Sequence, residues 1–132
     1  HNPASAKVLR QFVDSLAYPG PTHWVMGMLS TKDHGDIFAA LLRSGDSLYL
    51  VPVPGHDAAG PAALAELAQH SCPGLAACQP YPDVLTALQA AASLQPAEAE
   101  TCPTAPLIVL SGSLYLIGHF LQLMNQANMA DD

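Results

Sequence analysis

The chain has 132 residues, half of them hydrophobic and only 11% charged, which describes one domain over residues 1–132 and argues against a solvated, disordered polymer. Four Lys and Arg against eleven Asp and Glu give a formal net charge of −7, so neither nucleic acid nor an anionic membrane surface is expected as a partner. No apolar run reaches the length of a membrane span, and no signal-peptide pattern opens the chain.

Asn2 before Pro3 reads as a helix N-cap with proline at the first helical position, where its missing N–H costs nothing. Val8, Leu9, Phe12, Val13 and Leu16 supply that helix with an apolar face, ended by Tyr18-Pro19-Gly20-Pro21. A cap at the very start belongs to a turn from something earlier, and the chain does not open with Met, so it is expected to be part of a longer polypeptide. Trp24 to Leu29 is an apolar run suited to a strand covered on both faces. Polar Ser30 to Asp33 ends it, and Ile37, Phe38, Leu41 and Leu42 form the buried face of the next helix, with Asp33 and Asp36 in its first turn.

Gly45-Asp46 turns the chain into a second strand, Leu48 to Val53. Pro61 opens a third helix carried by Leu64, Leu67 and Ala68, and a short strand is expected near Ala76 to Gln79. Pro82 and Asp83 open a fourth helix with Leu85, Leu88, Ala91 and Ala92 inward, followed by a solvated loop from Gln95 to Ala105. Leu107 to Leu110 is a strand that breaks at Ser111-Gly112-Ser113 into a last helix. Its inward stripe is expected to be Leu114, Ile117, Phe120, Leu121 and Met124, with His119 and Gln122 on the other face. Strands alternating with helices predict an α/β fold: three layers, α/β/α, around a mainly parallel sheet, with ligands beyond the carboxyl ends of the strands.

The residues at those ends are Ser30 to Asp33, Pro54 to Asp57 and Ser111 to Ser113. Lys7, Arg10 and Arg43 read as helix-surface cations, which leaves Lys32 as the one at a strand end, able to hold a carboxylate or phosphate or to pair with Asp33. Ser113 reads as a cap whose helix start attracts anions, and Ser111 as part of the same turn. The six histidines read as surface or loop residues. No metal spacing, phosphate loop or nucleophile elbow occurs, so no metal site is expected. Cys72, Cys78 and Cys102 read as free thiols of a reducing cytoplasm, with a disulfide between two of them as the alternative.

Four segments in order, His1-Asn2-Pro3, Met26-Gly27-Met28-Leu29 through Lys32-Asp33, Val51-Pro52-Val53-Pro54-Gly55 and Ser111-Gly112-Ser113-Leu114-Tyr115-Leu116, resemble the C-terminal domain of folylpolyglutamate synthase and dihydrofolate synthase, in the Mur-ligase superfamily. The resemblance implies a Rossmann-like domain that lacks the family's first strands, cut from a bacterial, cytoplasmic ligase. That enzyme joins L-glutamate to a folate carboxylate through an acyl phosphate. It implies nucleotide contacts at His1 and Asn2, and a glutamate site at Lys32, Ser111 and Ser113, with no catalytic residue assigned. ATP and Mg²⁺ would be held mainly by an absent N-terminal ATPase domain, the chain's partner; the chain alone is expected to be inactive and to need no cofactor. The family strand that ends just before His-Asn-Pro would lie beside Leu107 to Leu110, so that edge is expected to be free and to invite dimers. The other readings are a stand-alone binding module without catalysis, and the C-terminal domain of a cell-wall Mur ligase, which normally lacks Ser-Gly-Ser-Leu-Tyr-Leu.

Overall fold

The computed structural model describes residues 2–93 and 104–130; the loop expected from Gln95 to Ala105 lies largely outside the described residues. The element order is α1 (Pro3–Ser15), β1 (Thr22–Gly27), α2 (His34–Leu41), β2 (Ser47–Leu50), α3 (Pro61–Ser71), β3 (Ala77–Pro80), α4 (Val84–Ala91), β4 (Leu107–Gly112) and α5 (Leu114–Ala130). The strands form one sheet in the order β3-β2-β1-β4, and every ladder is parallel. Two apolar clusters cover its faces. Side chains of α1, α2 and α3 pack with Trp24, Met26, Leu48 and Leu50 on one side. On the other, α4 and α5 pack with Val25, Tyr49, Val51 and Val53. Alternation along β1 thus sends successive residues to opposite cores, and the strand is apolar throughout because both faces are covered.

Polar side chains cap α1 and α4 where the sequence places them, whereas Asp33, expected in the first turn of α2, precedes it as an N-cap residue without a side-chain cap bond. Asn2 accepts a hydrogen bond from the Ser5 amide at 2.9 Å, and Asp83 one from the Thr86 amide at 2.8 Å. Three inward stripes differ from the expectation. In α1 the buried residues are Ala6, Arg10 and Val13, whereas Val8, Phe12 and Leu16 are exposed. In α4 they are Val84, Ala87 and Ala91, while Leu85 and Ala92 point outward. In α5 the contact residues are Leu116, Phe120 and Leu123; Leu114 and Leu121 are 82% and 60% exposed. Each of these helices carries apolar residues at more than one helical spacing. In α4 the packed stripe is the one with small residues, which lets the helix approach the sheet closely; in α1 and α5 tertiary packing selected one of the two stripes.

Two polar residues expected at the surface are inside. Arg10 is 9% exposed, its guanidinium held by Asp14 and by buried Asp46. His23, in β1, is fully buried, and its Nδ1 lies 2.7 Å from the Ala91 carbonyl. Both are tolerated because they find hydrogen-bonding partners there. Cys72 and Cys78 are free and buried, and burial pushes the Cys78 thiol up from its ordinary value.

Candidate functional site

The sheet reverses its strand order between β1 and β4: the chain moves from β1 outward to β2 and β3, then returns to the other side of β1. A crevice opens beyond the carboxyl ends at such a point. Register pairs Met26 with Ser111 and Gly27 with Gly112, so the two strands end together. Gly112 has φ +107, and a Cβ on it would run into the Gly27 carbonyl oxygen. Only glycine fits that turn. The Ser113 amide donates to the same Gly27 carbonyl at 2.8 Å, which fixes the start of α5 against the end of β1.

Ser113 caps α5: its Oγ accepts from the Tyr115 amide at 3.1 Å, and its carbonyl accepts from the Leu116 and Ile117 amides. The hydroxyl proton remains available to a ligand. Lys32 lies across the crevice in the turn after β1, half-buried. Its ammonium makes no ion pair with Asp33 among the described residues. Lys32 and Ser113 line one cavity of about 230 Å³ with Leu29, Leu114 and Tyr115. A cation, a hydroxyl donor and the N-terminal end of a 17-residue helix at one small cavity suit a carboxylate or similar small anion.

Ser111 does not line that cavity; it sits in β4, 5% exposed, with its Oγ lacking any hydrogen-bond partner. Asn2 is committed to capping α1, and His1 lies outside the described residues. The neighbouring loop was not singled out as a ligand contact by sequence reasoning. The Ser30 hydroxyl donates to Asp57 Oδ2 at 2.9 Å, the Ser30 amide donates to the Asp57 carbonyl, and Leu29 bridges Ala58. These contacts tie the Lys32 turn to the loop after β2. His56 of that loop stacks on Tyr115, with ring centroids 3.7 Å apart and planes 17° from parallel. The aromatic at 115 and the histidine at 56 were visible as residues, but their meeting depends on the loop tie.

Fold and site together define a doubly wound α/β domain with an anion-ready crevice at its switch point. The family model for the dihydrofolate synthetase C-terminal domain matches residues 1–123, and the chain belongs to that family. Among solved structures it is similar to Mycobacterium tuberculosis folylpolyglutamate synthase complexed with ADP, at 24% identity and TM-score 0.73 over 93% of this chain and 28% of that one. Escherichia coli FolC in complex with ADP, without folate substrate, gives 21% and 0.71 over 98% and 28% of the two chains. The bifunctional folylpolyglutamate synthase/dihydrofolate synthase of Yersinia pestis, complexed with AMPPNP and Mn ion, gives 25% and 0.67 over 95% and 27%. The comparison with curated proteins finds no match. The chain thus spans a little over a quarter of the length of these solved relatives.

Proposed function

We propose that this chain is the amino-acid-binding half of an ATP-dependent amide ligase that adds L-glutamate to a folate carboxylate through an acyl phosphate. The carrying observation is the cavity shared by Lys32 and Ser113 at the switch point. Lys32 would neutralise one carboxylate of glutamate, and the Ser113 hydroxyl would donate to the ligand. Ser111, buried behind them with a free hydroxyl, would reach the ligand only after a shift of the turn. Held this way, the amino group is oriented for attack and the reaction becomes effectively unimolecular.

No group of His, Cys, Asp and Glu among the described residues could hold a metal ion, and the sequence carries no phosphate loop. The described residues therefore offer no ligand set for Mg²⁺, and the sequence no loop to cradle the phosphates of ATP. In this reading both belong to an N-terminal ATPase domain of the longer enzyme, His1 and Asn2 meet the phosphates at the domain boundary, and the chain alone is inactive. The reading extends to a bacterial, cytoplasmic enzyme, and the bacterial sources of the solved relatives support the first of these.

Lys32→Ala in the full-length enzyme is the test. Losing a charge-assisted contact worth about 1.5–3 kcal/mol should raise KM for glutamate about tenfold to a hundredfold. KM for ATP should stay within about twofold of wild type by the same scale. Equal effects on both substrates would overturn the assignment.

A further inference from the structure

Lys32 stands in the short connection between the end of β1 at Gly27 and the start of α2 at His34. Its side chain meets a ligand in the cavity it shares with Leu29 and Ser113 only if that connection keeps one shape. A lysine is a point charge on a flexible four-carbon stem, so the backbone beneath it has to supply the order.

The usual device for fixing a helix start is missing here. Asp33 is the N-cap residue of α2, yet its side chain makes no cap bond. His34, the first residue of the helix, ties it down instead. Its Nε2 lies 2.8 Å from the carbonyl oxygen of Leu29, five positions back. A carbonyl oxygen only accepts, so Nε2 carries the proton and donates. The same oxygen accepts from the Lys32 amide at 3.4 Å, and the Lys32 carbonyl accepts from the His34 amide at 3.0 Å. Lys32 is thus held by Leu29 on one side and His34 on the other, and the imidazole closes the ring between them. The Lys32 amide bond is long, which makes the imidazole the firmer hold on that oxygen. Leu29 also lines the cavity, so the same bond fixes one of its walls.

We propose that His34 is a positioning residue for Lys32: by donating to the Leu29 carbonyl it holds the turn that presents the ammonium to the cavity. His34 is not among the residues that line the cavity, so its effect on a ligand travels through the lysine. The consequence for catalysis rests on the glutamate reading of that cavity; the brace itself rests on the turn.

The test compares His34→Ala and His34→Gln in the full-length enzyme, each alone and combined with Lys32→Ala. Glutamine carries an N–H donor where Nε2 stands, and alanine carries none. His34→Ala should raise KM for glutamate about threefold to tenfold, the worth of one hydrogen bond, and leave KM for ATP unchanged. His34→Gln should recover most of that loss. In the Lys32→Ala enzyme, His34→Ala should add less than about twofold, because the residue it positions is gone. Should the alanine variant fail to fold, His34→Leu, which keeps bulk without a donor, takes its place. A full further loss in the Lys32→Ala background, or a KM unmoved by His34→Ala where Lys32→Ala raises it, overturns the proposal. The brace is read without glutamate by the heteronuclear NOE of the Ser30 to Asp33 amides in the 132-residue chain, which should fall in His34→Ala and return in His34→Gln. An unchanged NOE in His34→Ala also overturns the proposal. If Lys32→Ala leaves KM for glutamate unmoved, the glutamate reading falls and the NOE alone decides whether His34 positions Lys32.

Discussion

Asp46 Oδ2 accepts three hydrogen bonds in the interior: from Arg10 Nη1 at 2.8 Å, Trp24 Nε1 at 3.0 Å and the Arg43 amide at 3.1 Å. Arg10 in turn gives Nε and Nη2 to Asp14 and bonds the Leu41 carbonyl. The pair stands because the guanidinium is well bonded on both sides; a buried charge that loses its partner is far more costly than a satisfied pair is favourable. Asp46→Ala is expected to destabilise the chain by about 3–5 kcal/mol. Urea unfolding followed by the fluorescence of Trp24 reads it directly, and a loss below about 1 kcal/mol, the range of an exposed pair, would contradict the account. Nothing in the sequence marks Arg10 as internal, because its burial depends on an aspartate 36 positions away. Lys32 was legible for the opposite reason: a lone cation in the turn after a strand needs no distant partner to be placed.

Helix ends were read more surely than helix faces. A cap is local chemistry: Asp83 accepts from the amide three residues on, and this bond is the main cause that holds its carboxyl below the usual range. A face is decided by what it packs against, and α1, α4 and α5 each offered two candidate stripes. The Asp83 cap therefore makes the sharper prediction. Asp83→Ala should lower the denaturation midpoint at neutral pH by removing the cap. Since the folded-state pKa is lowered, the ionised cap stabilises the fold above the ordinary carboxylate range and is lost as pH falls below about 4. The gap between wild type and variant in denaturation midpoint should narrow as pH falls through the lowered carboxyl value. A gap that persists there would mean that the alanine acts through packing instead.

At the scale of the whole sheet, β4 is an edge with no partner beyond it among the described residues. It is six residues long, uncharged and free of proline, and Ile108 is 37% exposed. Such an edge is a template for another strand, and monomeric proteins rarely leave one uncovered. The crossovers limit which strand can cover it. Helices α1, α2 and α3 share one face, and the connections through α2 and α3 step from β1 to β2 to β3. With right-handed connections, a strand feeding α1 must lie on the β4 side of β1, and β4 already occupies the adjacent place. A parallel strand entering α1 from upstream would therefore sit on the free edge of β4. In the 132-residue chain a second copy is expected to take that place, β4 against β4. Light scattering at high concentration should show dimers or larger species, and a chain extended upstream through one added strand should return to monomer. A clean monomer of the shorter chain would show that the edge is closed by other means, and dimers that survive the extension would place the contact elsewhere, with the exposed Val8, Phe12 and Leu16 of α1 as the first surface to mutate.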